Sequence, residues 1–337
     1  MKSGFVSILG RPNAGKSTLL NALIGEKIAI VSNKPQTTRS RIQGILEVPP
    51  RKGSKAAQIV FVDTPGVHKP GSQLDRRMMH EVHEALESRD IVLLMVDAAR
   101  YSEPAEPGKK LSPRAERART EDAFVMKLIQ QLDCPVFLVI NKIDLLLRSN
   151  LLPLIERLSA SYSFAEVIPI SASKKDGLDI LVKKLVEHLP VGQRYFPKEQ
   201  FTDQPERFLV AELIRERILL ETGEEVPYAS AVVVESFEEP QVAKPSALTR
   251  ISAVIYCERA GQKAILIGKG GSKLKSIGAA ARKEIESLLG TRVYLELHVI
   301  VEENWRESRG FVESLDWRKQ LEDLVRTESE DETPEKI

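Results

Sequence analysis

The residues best suited to chemistry come early, in "GRPNAGKST", where Gly10, Gly15, Lys16 and Ser17 fit the spacing G-x-x-x-x-G-K-[ST]. Glycines let backbone N–H groups curl around phosphate oxygens. The helix that follows adds the positive end of its dipole, a lysine neutralises terminal phosphates, and a serine hydroxyl is a ligand for Mg²⁺. The nucleotide contact set is therefore expected to include Gly10, Asn13, Ala14, Gly15, Lys16, Ser17 and Thr18. Further along, "QIVFVDTPG" ends in Asp63 and Gly66. That carboxylate is placed to hold Mg²⁺ through water, and the Gly66 N–H to meet a γ-phosphate.

A phosphate loop alone does not choose between adenine and guanine. "CPVFLVINKID" ends in Asn141, Lys142 and Asp144. Guanine presents two adjacent donors, which one carboxylate accepts as a pair, and adenine has no matching pair. Asp144 is thus the expected guanine reader. "VIPISASKK" supplies Ala172, whose N–H is expected to donate to the guanine carbonyl, with Ser171 and Ser173 shaping the loop. Alone, Asn-Lys-x-Asp is ordinarily a solvated turn. Four such segments in order, each ending an apolar strand, form a nucleotide site.

The elements that must position these residues follow from patterning. Apolar strands near residues 5–9, 58–62, 91–96, 136–140 and 167–170 alternate with helical segments. That order predicts an α/β domain with a mainly parallel six-stranded sheet, its sixth strand near residues 42–48 pairing antiparallel with 58–62. Ligands then gather at the strand carboxyl ends. Residues 191–206 are rich in proline and polar side chains and are expected to link this domain, residues 1–190, to a second one at 207–321. An acidic tail, 322–337, reads as disordered.

The second domain shows a helix, two strands, two helices and a strand, with Gly268-Lys269-Gly270-Gly271 between the paired helices. The chain carries 49 basic and 48 acidic side chains, so overall charge names no partner. Residues 259–292 nonetheless hold eight basic and two acidic side chains. This order resembles a KH domain of the α-β-β-α-α-β type, whose G-x-x-G loop clamps single-stranded nucleic acid. Gly268, Lys269, Gly270, Gly271, Lys273 and Lys275 are the RNA contacts implied; no stable DNA binding is expected.

"GRPNAGKSTLLNALIGEKIAIVSNKPQTTRSRIQGI", "DTPGVHKP", "NKID" and "SASKKDGLD" together resemble the Era family of bacterial GTPases, from about residue 4 to 320. The resemblance implies a slow GTPase with Mg²⁺ as cofactor and GTP and GDP as ligands. It implies partners too: the 3′ end of small-subunit ribosomal RNA and the 30S subunit, whose assembly it assists. It also implies a threonine that completes the Mg²⁺ shell, Thr37 or Thr38, with Thr38 preferred. Lys16, Thr38 and Gly66 are then expected to bear on hydrolysis, and Ser17, Thr38 and Asp63 to hold the metal. Val67 stands where many GTPases have a water-orienting glutamine, and valine offers no hydrogen bond. Asn13 leaves two readings open: a ligand for K⁺ beside the phosphates, as in relatives with this residue, or a shaper of the loop. The contrasting function is a regulatory GTPase whose C-terminal domain docks a protein or a membrane surface.

Other features are bland. "HEVHE" spaces His80 and His83 by three, not the four of a zinc motif, and a solvated helix face is expected. Trp305 and Trp317 are expected to pack against the second domain's core rather than stack on bases. Residues 100–122 read as a tolerated surface insertion, with Ser112-Pro113 opening a helix to Leu132. Cys134 and Cys257 suit free thiols in a reducing compartment, and the apolar runs are too short to span a bilayer. The expected location is the cytoplasm, with a peripheral membrane-associated fraction as the further possibility.

Overall fold

A computed structural model of the chain describes residues 1–50, 55–68, 70–101, 113–223, 225–240 and 248–322. The chain divides into two units, one made of Met1–Pro70 with Met78–Gln204, the other of Gly71–Arg77 with the chain from Pro205 on. In the first, strands β1 (Lys2–Gly10), β2 (Ile42–Val48), β3 (Ala57–Asp63), β4 (Ile91–Asp97), β5 (Val136–Asn141) and β6 (Glu166–Pro169) form one sheet in the order β2-β3-β1-β4-β5-β6. Only β2 runs antiparallel. The central strands are almost continuously apolar because helices cover both faces, and β3 is buried at all seven positions.

Register places the chemistry. Ile8 pairs with Asp63, Gly10 with Met95, and Asp97 with Asn141, so the carboxyl ends of β1, β3, β4 and β5 share one edge of the sheet. Helix α1 (Lys16–Ile24) starts from that edge and stops at Gly25, whose φ of 89° and N–H bond to Asn21 O close the last turn. Helices α2 (Gln73–Glu87), α3 (Pro113–Gln130), α4 (Arg148–Ser159) and α5 (Leu178–His188) complete the alternation. Pro113 opens α3 at its first position, as expected, and the helix stops at Gln130 rather than Leu132, while residues 102–112 of the 100–122 insertion lie outside the described residues.

The segment expected as the interdomain linker, 191–206, packs with the first unit as far as Gln204. Gln58, wholly buried in β3, accepts the N–H groups of Tyr195 (2.8 Å) and Phe196 (3.1 Å) and donates to Phe196 O (2.9 Å). The Ile45 N–H donates to Phe201 O at 2.9 Å, and Thr202 Oγ1 to Gln43 O at 2.7 Å. The unpaired edge of β2 supplies backbone groups that a polar, proline-containing segment can satisfy.

The second unit follows the expected order: α6 (Glu206–Glu221), β7 (Ala231–Glu238), β8 (Leu248–Cys257), α7 (Ala260–Ile267), α8 (Ser272–Leu289), β9 (Arg292–Val301) and a short α9 (Arg309–Ser314). β7 and β8 are antiparallel, and β8 and β9 parallel. Ile214 and Ile218 of α6, Ile255 of β8 and Ile277 and Ile285 of α8 belong to one core. Trp305 is wholly buried, its indole N–H donating to Ala229 O at 2.9 Å. Trp317 lies 6.1 Å from the Phe208 ring under the Arg318 guanidinium, so both tryptophans pack against protein. His80 and His83 are exposed, and the acidic tail lies outside the described residues. Among the described residues no His, Cys, Asp and Glu cluster suits a metal, and no helix is long and apolar enough to cross a membrane.

Candidate functional site

Between β1 and α1 the chain turns through Asn13 (φ 65°) and Gly15 (φ 97°). A Cβ on Gly15 would lie 2.3 Å from Asn141 Nδ2, and one on Gly66 would lie 2.8 Å from the Pro12 backbone nitrogen. Only glycine fits at these approaches. Lys16 is buried, its ammonium donating to Gly10 O and Arg11 O at 3.1 Å each. Burial pulls its pKa down to about 8, although Asp63 opposes the shift.

Three oxygen-bearing side chains converge beside it. Ser17 Oγ donates to Asp63 Oδ2 at 2.6 Å and lies 2.9 Å from Thr38 Oγ1, which is itself 3.4 Å from Asp63 Oδ2. Asp63 is wholly buried, and desolvation raises its pKa to about 6 against the opposing pull of Lys16, Ser17 and Thr38. Its Oδ1 has no hydrogen-bond partner among the described residues. A buried, orphaned carboxylate oxygen beside two hydroxyls is a hard-oxygen donor set of the kind Mg²⁺ takes. Thr37 points elsewhere, donating from Oγ1 to Lys34 O at 2.7 Å, so of the two threonines only Thr38 brings its hydroxyl to this cluster. Thr18 and Gly66 line the same pocket.

At the other end, Asp144 is exposed at the rim, with Oδ1 accepting from Ser171 Oγ at 2.6 Å and Ser173 Oγ 3.3 Å beyond. Asn141 and Lys142 clasp the phosphate loop. Asn141 Nδ2 donates to Ala14 O at 2.9 Å, and Lys142 Nζ to Asn13 O and Asp97 Oδ2 at 2.8 Å each. The Ala172 N–H, expected to meet the guanine carbonyl, donates to Asn141 Oδ1 at 2.9 Å, because a buried N–H takes the acceptor within reach. Delivering it to a base requires sharing or exchanging that bond. Sequence reasoning also missed Asp97, whose place at the carboxyl end of β4 was the available signal. It missed Arg11 too, which pairs with Glu121 at 2.7 Å and Asp122 at 3.2 Å.

In the second unit, Gly268 (φ 71°), Gly270 (φ 59°) and Gly271 (φ 78°) all take left-handed backbone around the tight turn Lys269–Gly271. A Cβ at Gly268 would sit 2.7 Å from Lys273 Cβ, whereas Gly270 and Gly271 face open space. Lys269 and Lys275 are exposed, and Lys273 is half-buried. Beside the turn runs a groove lined by Leu274, Lys275, Gly278, Arg282, Leu295 and Leu297. An apolar floor with a basic rim, next to backbone amides at a helix start, suits bases and phosphates of a single strand.

Fold and site together define a P-loop GTPase domain followed by a KH domain. Residues 5–142 match the family described as 50S ribosome-binding GTPase, and residues 225–306 match the KH domain family. GTPase Era of Lacticaseibacillus paracasei is 47% identical over 313 residues, covering 93% of this chain and 96% of its own, and that of Ruminiclostridium cellulolyticum is 42% identical over 317 residues, covering 94% and 98%. A crystal structure of Era with MgGDPNP and nucleotides 1506–1542 of 16S ribosomal RNA superposes with a TM-score of 0.82 at 40% identity, covering 93% of this chain and 98% of that one. A variant Aquifex aeolicus Era bound to GDP·AlF4⁻ gives 0.80, with the same identity and coverage. The chain belongs to the Era family of GTPases.

Proposed function

We propose that this GTPase clamps a single-stranded stretch near the 3′ end of small-subunit ribosomal RNA in its GTP-bound form, and so assists assembly of the 30S subunit. The observation that carries the reading is the pairing, in one chain, of a converged Ser17, Thr38 and Asp63 cluster with a glycine-turned, lysine-bearing loop beside an apolar groove. The Era structure that holds a GTP analogue together with 16S ribosomal RNA supports it.

Residue by residue, backbone amides of residues 13–18 wrap the phosphates and Lys16 neutralises them. Ser17, Thr38 and Asp63 hold Mg²⁺, which offsets negative charge on the phosphate oxygens. The Gly66 N–H meets the γ-phosphate. Asp144 accepts the two guanine donors, kept in place by Ser171 and Ser173, while Asn141 and Lys142 keep the base loop and phosphate loop in register. The Ala172 N–H adds a shared bond to the guanine carbonyl. Lys269, Lys273 and Lys275 hold RNA phosphates around Gly268, Gly270 and Gly271.

RNA recovered by crosslinking through Lys269, Lys273 and Lys275 in cells tests the RNA reading. Abundant small-subunit RNA is the expected outcome. A docking adaptor for a protein or a membrane surface would yield little, and that result would favour a peripheral membrane or protein partner instead.

Asn13 supports a role for K⁺. Its amide nitrogen donates to Asn33 O at 2.6 Å, so the amide oxygen is the atom that would meet a cation. Hydrolysis is expected to run faster in potassium than in sodium buffer, and Asn13→Ala to erase the difference. Equal parental rates in the two salts would leave Asn13 as a shaper of the loop.

A further inference from the structure

Val67 offers no side-chain hydrogen bond to a water and faces away from the pocket. Its side chain is wholly buried in the core with Leu9, Met79 and Val82, and its N–H is held by Gly10 O at 3.1 Å. A longer polar side chain nevertheless reaches the pocket of the phosphate loop. Gln36 lines the same pocket as Lys16, Ser17, Thr38 and Gly66. Its backbone sits at φ 58°, a conformation that L side chains other than Asn and Asp rarely adopt, and such strain concentrates where a side chain must be aimed. Its amide nitrogen lies 3.1 Å from His68 Nε2, two residues past Gly66.

We infer that Gln36 is the catalytic residue that orients the attacking water, and that His68 is the positioning residue that aims it. With the amide nitrogen facing His68, Nε2 is the acceptor of that bond, which requires the proton of the imidazole to sit on Nδ1. That contact fixes which way the Gln36 amide faces and makes its carbonyl oxygen the acceptor for a proton of water. The glutamine after Gly66 in other GTPases does this job from the second of the two segments flanking the γ-phosphate; here the first segment carries the amide and the second carries its support. In the step itself, the water oxygen bonds to the γ-phosphorus. The bond from that phosphorus to the β–γ bridging oxygen breaks with its electron pair leaving on GDP, and the water proton ends on inorganic phosphate. Gln36 aligns and is not consumed.

The inference rests on the GTPase activity, and single-turnover hydrolysis by the full-length chain at saturating GTP separates the two. No hydrolysis by the parent would remove the activity itself. Given parental hydrolysis, Gln36→Met keeps length and loses both polar atoms. The expected result is a rate about 10- to 100-fold lower, the loss typical of a mispositioned reactant, with GTP-analogue affinity within about twofold of the parent. His68→Ala should lose part of that rate, and His68→Asn, whose carbonyl still accepts from Gln36, should restore most of it. In the double variant Gln36→Met/His68→Ala the rate should equal that of Gln36→Met alone, since a support matters only through what it supports. A parental rate in Gln36→Met, a matching loss of analogue affinity, or losses that multiply in the double variant would each overturn the assignment.

Discussion

Replacing Lys16 by alanine is expected to lower affinity for GTP and GDP alike by about 30- to 4,000-fold, the range for truncating one member of a buried charge pair at about 2–5 kcal/mol. The ammonium is buried and, among the described residues, hydrogen-bonds two backbone carbonyls, and its pKa is pulled down to about 8. Such a charge gains most from an anion brought into the same desolvated space. Asp63 beside it carries the complementary strain, with a pKa raised to about 6, so nucleotide phosphate and metal relieve both groups together. Isothermal titration reads the loss. At the exposed rim the response should differ in kind: Asp144→Asn keeps the phosphate grip but mismatches guanine, at about 1–3 kcal/mol, and should shift preference toward xanthosine triphosphate, whose ring carbonyl accepts from an amide. GTP binding unchanged in both variants would remove both roles.

The second large effect is expected at the loop between α7 and α8. Aspartate at both Lys269 and Gly270 should weaken RNA binding about hundredfold, because like charge against phosphate costs several kcal/mol. The variant should remain folded: nothing lies within 4 Å of a Cβ at Gly270, and aspartate is among the few side chains that tolerate its φ of 59°. GTP affinity should stay at the parental value, since Lys269 and Gly270 belong to the other unit. Loss of one phosphate-contacting lysine should also flatten the slope of log affinity against log salt by about 0.7. RNA binding equal to the parent's would remove the loop from the clamp.

What could be read from the chain beforehand was what local chemistry dictates. The phosphate loop, the strand-end Asp63 and Asp144, the antiparallel β2 and the helix order around Gly268–Gly271 all show in residue type, spacing and period. What stayed hidden depends on partners distant in sequence. The Asp97–Lys142 ion pair spans 45 positions, and the Gln58 contact that fastens Phe196 spans 138. A polar glutamine inside an apolar strand gave no hint of its partner, so residues 191–206 read only as an interdomain linker. The Ala172 N–H shows the same limit at short range: the loop was legible, but the competing acceptor, Asn141 Oδ1, comes from another strand end. Between Thr37 and Thr38 the resemblance preferred Thr38 without excluding Thr37, and the structure turns one hydroxyl to Lys34 O and the other to Ser17.

The central claim is that one chain couples a guanine-nucleotide switch to an RNA clamp. Coupling is reciprocal, so RNA must tighten GTP binding by the factor by which GTP tightens RNA binding. The most direct measurement is the affinity of the full-length chain for a single-stranded RNA from the 3′ end of small-subunit ribosomal RNA, taken with a GTP analogue, with GDP and without nucleotide. The tightest binding is expected with the analogue, by about 5- to 150-fold over GDP, the usual span of coupling free energies. Equal affinity in all three states would contradict it.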